Sequence, residues 1–137
     1  PDEVIEEQGA DALRLYEMFM GPFDKEKVWN TEAVMGCRRF LNRFWEVSLS
    51  EKVGDVGDAD ALKLAHRLLH GVTADIEALQ FNTAIAKMME FMNGFTKLEK
   101  IPKGAVKIAL QCVFPFAPHI TSEIWQRLGF KEDINTY

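Results

Sequence analysis

Apolar residues between Trp29 and Leu49 (WNTEAVMGCRRFLNRFWEVSL) recur every three or four positions. At 100° per residue, Val34, Cys37, Phe40, Leu41, Phe44, Val47 and Ser48 share one broad side, nearly all of it apolar, which predicts an amphipathic helix. Asn30 is placed to cap it, and Trp29 with Val34 has the spacing of a hydrophobic staple. Arg39 and Arg43 fall on the opposite side, one turn apart, with Asn42 and Glu46 beside them. Like charges at this spacing cost a helix roughly 0.2–0.5 kcal/mol unless an anion answers them.

The same periodicity recurs along the chain. PDEVIEEQG predicts a turn or two of acidic helix ended at Gly9, after which Asp11 can cap a helix from Ala12 to Met20, stopped by Gly21-Pro22. Leu13, Leu15, Tyr16, Met18, Phe19 and Met20 ring that helix, so burial is expected, with a neighbouring domain as one cover. Arg14, its one base, is expected in a surface ion pair with Glu17 or a nearby acid. Residues 23–28 read as a polar connector and 51–57, with two glycines, as a flexible loop.

From Asp58 a long helix is predicted, with Leu62, Ala65, Leu69, Val72, Ile76 and Leu79 as its packing seam and Gly71 at a close helix crossing. Phe81-Asn82 repeats the staple and cap before a helix from Thr83 to about Phe95, striped by Phe81, Ile85, Met88, Met89, Met92 and Phe95. Pro102 suits the first turn of a fifth helix, which carries Val106, Ile108, Ala109, Leu110, Cys112, Val113 and Phe114. It breaks at Phe114-Pro115-Phe116-Ala117-Pro118, and Pro118 opens a last helix, His119 to Leu128, closed by Gly129. The predicted fold is all-α: an up-and-down bundle of five or six antiparallel helices, with no convincing strand and no internal repeat.

Composition changes this picture little. The 137 residues suffice for one domain, and 47% hydrophobic with 27% charged residues is ordinary for a globular protein. No apolar run approaches the ~20 residues needed to span a bilayer, and no signal peptide is evident, so no membrane partner is expected. A start at Pro1 and an end at Asn135-Thr136-Tyr137 suggest a piece of a longer protein. Cys37 and Cys112 both sit in apolar helical patterns, as buried free thiols of a reducing compartment would.

Charge is more informative in its distribution than in its sum of −5. Residues 1–32 carry nine acids and three bases, residues 33–50 three arginines and one acid, and residues 51–80 six acids and three bases. A polyanion would therefore have to meet a local patch. Lys97, Lys100, Lys103 and Lys107 form a second cluster around a connector.

Nothing in the chain supports catalysis. It has no glycine-rich phosphate loop and no nucleophile elbow, and no pair of acids stands out for proton transfer. His66 and His70 are one turn apart, but Arg67 occupies the place of a zinc protease's glutamate and no third ligand is evident, so no metal is expected. The residues alone describe a binding or structural module.

Four collinear stretches carry a resemblance. GADALRLYEMFMGP at 9–22 is similar to the segment after the KMSKS loop of class I aminoacyl-tRNA synthetases, and PFAPHITSEIW at 115–125 resembles a motif near the end of their helical anticodon-binding domain. VWNTEAVMGCRRFLNRFWEV and FNTAIAKMMEFMN are most similar to the leucyl enzymes. The resemblance implies a connecting segment at 1–22, a tRNA-binding helical bundle at 23–130 and a tail at 131–137. It implies tRNA(Leu) and the rest of a synthetase chain as partners, in a cytoplasmic, monomeric enzyme that activates leucine with ATP and Mg. The HIGH and KMSKS signatures of that chemistry are absent here, so no catalytic residue, cofactor or activity is expected of this chain alone. Arg39 and Arg43 match the family's Arg-Phe-Leu-x-Arg positions and are the first candidates for tRNA backbone contact, with ion pairs to Glu46 or other acids as the alternative. Arg38, Lys100 and Lys103 are secondary candidates.

Two other readings stay open at this level. The chain can be the same domain of an isoleucyl, valyl or methionyl enzyme. It can also be a protein-interaction module using the apolar helix 12–20 and the methionine stripe, which exposure of those faces would favour.

Overall fold

A computed structural model describes residues 2–20 and 31–135, with side chains described from Gly9 onward. The Asn30 cap, the Trp29 staple, the Gly21-Pro22 stop and the 23–28 connector lie outside those residues. The described residues form six helices: α1 (Asp2–Phe19), α2 (Thr31–Ser48), α3 (Ala59–Glu77), α4 (Phe81–Phe95), α5 (Lys103–Val113) and α6 (Pro118–Arg127). Two short strands, β1 (Val53–Gly54) and β2 (Ile101–Pro102), pair in parallel. The all-α helical fold is the one expected, with this two-residue pair as the addition.

α1 is broken at Gly9, whose φ of 83° and ψ of 155° belong to a region L side chains rarely adopt. The helix after the break packs on α2, α4 and α6 with Ala12, Leu15 and Tyr16 in the core, while Leu13, Met18, Phe19 and Met20 are half-buried. Asp11 does not cap this helix, because its carboxylate is turned onto the start of α6. Arg14 likewise leaves the acids and donates to the Pro115 carbonyl at 2.9 Å, tying α1 to the α5–α6 corner.

α2 buries Val34, Cys37, Phe40, Leu41, Phe44 and Ser48, nearly the predicted stripe, with Val47 only half-buried. In α3 the seam is turned. Ala61, Ala65, Leu68, Val72 and Asp75 are buried, whereas Leu62 and Leu69 are 39% and 40% exposed and Leu79 lies beyond the helix. The buried set sits one residue N-terminal to the predicted one at three positions and coincides with it at Ala65 and Val72, a turn of the inward face by about 50°. α3 packs chiefly on both α4 and α5, and the small Ala61 and Ala65 face inward while larger leucines stay at the rim.

The α3–α4 hairpin is antiparallel: Gly94 lies against Leu64, and Gly71 against Lys87. The close crossing at Gly71 is thus with a side chain, since a Cβ there would meet Lys87 Cδ at 3.0 Å. The turn places Leu79 at φ 57° and lets Gln80 N–H donate to the Asp75 carbonyl at 2.7 Å. α4 therefore starts at Phe81, Gln80 takes the cap position, and Asn82 lies inside the first turn instead of capping it. Met88 and Met92 are wholly buried, so the methionine stripe fills the core rather than lining an exposed groove.

Residues 51–57 are fixed rather than loose. Ile101 N–H donates to the Lys52 carbonyl (2.9 Å), Asp58 N–H to the Lys100 carbonyl (3.0 Å) and Lys52 Nζ to the Thr96 carbonyl (2.9 Å). Gly57 is pressed on Pro102 with no room for a Cβ, and Gly104 faces Leu62, so α3 and α5 start side by side. The bundle is therefore not a simple meander of sequence neighbours: α3 packs on α4 and α5, and α4 on α1. At the far end residues 131–135 fold back, with Trp125 Nε1 donating to the Glu132 carbonyl at 2.8 Å and Ile134 buried.

Candidate nucleic-acid interface

The core face of α2 fixes where its polar face must point. Arg39 and Arg43 are both exposed, one turn apart on the side away from Phe40 and Phe44. Among the described residues neither makes an ion pair or a hydrogen bond, and Glu46, exposed on the same helix, holds neither. A guanidinium group open to solvent can donate two hydrogen bonds to a phosphate or carboxylate.

Arg38 sits differently. It is half-buried, and its Nη1 lies where a Cβ on Gly9 would meet it at 3.3 Å. The missing Cβ at Gly9 thus leaves space for the arginine. Here α1, α2 and α6 bound a groove of about 630 Å³, lined by Gly9, Asp11, Arg38, Asn42, Trp45 and His119 among others. Its floor is built by the Asp11 carboxylate, which accepts from Ile120 N–H at 2.6 Å and His119 N–H at 3.3 Å, stabilising the α6 N-terminus. Arg127 from α6 lies over the Trp45 ring at 4.8 Å while its Nε donates to Glu123 at 3.0 Å. Asn42, Trp45, His119 and Arg127 escaped the sequence reading. The signal for the first two was present, because Arg38, Asn42 and Trp45 stand at i, i+4 and i+7 on one stripe.

The lysines form a separate patch. Lys100 is exposed and Lys103 half-buried in the first turn of α5, both flanking β2. β2 packs on β1, α5 and α3, whereas α2 packs on α1, α4 and α6, so the structure does not gather the lysines with the arginines. Glu51, Asp55 and Glu99 interleave with Lys52 and Lys100 there. Lys107 is already engaged: it pairs with Glu132, whose carboxyl it holds below the usual range, and lies 5.9 Å from Trp125 and 5.8 Å from Phe130.

Cys37 and Cys112 are free and buried, and burial pushes their thiols up to about 11 and about 12. His66 and His70 are exposed, and among the described residues no three His, Cys, Asp or Glu are grouped to hold a metal ion. No described helix is long and apolar enough to cross a membrane.

Comparison with known proteins places the chain among tRNA ligases. Residues 58–136 match the family model described as the anticodon-binding domain of tRNA ligase. A leucine–tRNA ligase of Protochlamydia amoebophila is 62% identical over 128 residues, covering 93% of this chain and 15% of that protein. The leucine–tRNA ligase of Chlamydia caviae is 49% identical, covering 98% of this chain and 16% of that protein. The chain thus spans about a sixth of the length of these relatives. Among solved structures, a ternary complex of Agrobacterium radiobacter K84 agnB2 LeuRS, tRNA and LeuAMS superposes with a TM-score of 0.75 at 25% identity, over 98% of this chain and 20% of that one. More than half of the chain lies within the family match and nearly all of it within leucine–tRNA ligase relatives: it belongs to the anticodon-binding domain family of tRNA ligases, as carried by leucyl-tRNA synthetases.

Proposed function

We propose that this chain is the tRNA-binding helical domain of a leucine–tRNA ligase, and that Arg39 and Arg43 contact the sugar-phosphate backbone of tRNA(Leu). The observation that carries this reading is the exposed, unpaired state of both arginines among the described residues, on the only net-basic stretch in the first 80 residues. The similarity to leucine–tRNA ligases and to a LeuRS bound to tRNA supports it.

The longer protein activates leucine with ATP and Mg and joins it to tRNA(Leu), acting in the cytoplasm as a monomer. This domain contributes no reacting group. A guanidinium fork clasps two phosphate oxygens and fixes the register of the RNA without reading its bases. Arg38 supports the same surface from the groove beside it, and Lys100 and Lys103 supply a second, weaker contact. Correct register at the bundle holds the far end of the tRNA in place for aminoacylation elsewhere in the protein.

The test is tRNA binding by the full-length protein carrying Arg39→Ala and Arg43→Ala, measured over a range of salt concentrations. Each lost phosphate contact removes about 0.7–0.9 from the slope of log K against log salt. A shallower slope with weaker binding is expected, and an unchanged affinity and slope would overturn the assignment.

A further inference from the structure

We infer that the outer groove of the α3–α4 hairpin binds a free apolar α-amino acid, with its carboxylate at Arg67, its ammonium at Glu90 and its side chain on Leu68 and Phe91. This goes beyond the tRNA-binding reading and does not depend on it. The groove, at about 440 Å³, falls within the roughly 300–1,000 Å³ typical of small-ligand sites, and its lining comes from α3 and α4 alone. Helix register sets its shape. Leu64 meets Gly94 at one end and Lys87 crosses Gly71 at the other, so the antiparallel pair brings Arg67 and Glu90 to the same level on facing helices. At 100° per residue both stand on the solvent side of that seam, above Leu68 and Phe91, which are buried.

The charges on the rim select the ligand class. Arg67 and Glu90 are exposed and line one groove, yet among the described residues neither makes an ion pair or a hydrogen bond. Lys87, the other cation at the rim, is already held by Asp75 at 2.9 Å. An anion alone would face the Glu90 carboxylate, and a cation alone would face the Arg67 guanidinium, each a repulsive contact. A purely apolar ligand would take water from both charges and return nothing. A zwitterion with an apolar body answers all three demands. The guanidinium fork donates to its carboxylate, Glu90 accepts from its ammonium, and Leu64, Leu68 and Phe91 cover its side chain. In an α-amino acid the two charged groups share one carbon, which suits facing residues on neighbouring helices.

The experiment uses the full-length protein, with a leucyl-adenylate analogue present to occupy any leucine-activating site. A diazirine analogue of leucine is cross-linked by light and the modified peptides are located by mass spectrometry, while equilibrium dialysis follows labelled leucine. Cross-links within residues 64–71 or 87–94, displaced by unlabelled leucine, are expected. Arg67→Gln and Glu90→Gln, both at exposed positions, are each expected to weaken binding roughly 10- to 100-fold, the range for one lost charge-assisted hydrogen bond. Isovalerate and isoamylamine each lack one charged group of leucine and are expected to compete as weakly, which tests the charge pairing without altering the protein. No cross-link in these helices, or equal binding by the parent and both variants, would overturn the inference. So would isovalerate or isoamylamine competing as well as leucine. None of these outcomes bears on tRNA contact by α2, which the Arg39→Ala, Arg43→Ala protein tests separately.

Discussion

The Asp11 carboxylate accepts a 2.6 Å hydrogen bond from the backbone N–H of Ile120, across 109 residues of sequence. A second bond, 3.3 Å from His119 N–H, completes a side-chain cap on α6 that no residue adjacent to α6 provides. The two stretches that resemble synthetase motifs, 9–22 and 115–125, thus meet at one contact. Arg14 reinforces it from the next turn by bonding the Pro115 carbonyl.

Asp11→Ala removes this remote cap and leaves two N–H groups at a largely buried site without their acceptor. A loss of about 1–2 kcal/mol is expected, as for other cap removals. Denaturant unfolding checks it, with Asp11→Asn predicted to lose less because its amide oxygen still accepts. Equal stability of Asp11→Ala and the parent would show that the cap contributes nothing.

Leu79 holds a φ of 57° with its side chain 76% exposed. The left-handed conformation crowds its Cβ against the backbone, and the exposed side chain recovers little by burial. Leu79→Gly is expected to raise stability by about 0.5–1 kcal/mol, the relief of strain exceeding the added freedom of glycine in the unfolded chain. A lower melting temperature for the variant would contradict this.

Both thiols are predicted to be unreactive in the folded protein at pH 8. Burial holds Cys37 near 11 and Cys112 near 12, so the thiolate fraction is small, and access is blocked as well. Mass spectrometry after brief treatment with a maleimide is expected to show no addition in buffer and two additions in strong denaturant. Rapid labelling of the native protein would mean that one of these helices opens readily.

Helix number and the core stripes of α2 and α4 were legible from spacing alone, because 3.6-residue periodicity records directly which side is wetted. The exposed arginines followed from the same wheel. The α3 seam was legible only to within one residue: its leucines mark a broad apolar sector, and packing on both α4 and α5 decides which edge turns inward. Asp11 was misassigned because a carboxylate next to a helix start looks like a local cap, and no sequence pattern announces a cap supplied from 109 residues away. The 51–57 segment looked loose for the same reason, since its fixing hydrogen bonds come from residues 96–101. The groove residues Asn42 and Trp45 shared a stripe with Arg38, but that they line one groove depends on α6 lying beside α2.

The α3–α4 hairpin contains a titratable lock. Lys87 Nζ lies 2.9 Å from Asp75 Oδ2, with the Asp75 side chain 10% exposed and Lys87 44% exposed, and the lysine stem lies over Gly71. The Lys87 hydrogen bond holds the Asp75 carboxyl below its usual value, against the opposing effect of its burial. A depressed folded-state pKa means that the pair contributes stability above the unfolded value, about 3.9, and loses it as pH falls through the folded one. Lys87→Met keeps most of the stem's packing on Gly71 but strands the carboxylate. At pH 7 it is expected to cost about 1–2 kcal/mol, the lysine's exposure keeping the figure modest. As pH falls, the variant's stranded carboxyl takes up its proton before the parent's depressed one, and once the parent's is protonated too the difference between the two proteins has shrunk. Urea unfolding of both at pH 7 and pH 3 measures it, and an equal difference at the two pH values would show that Lys87 acts through packing alone.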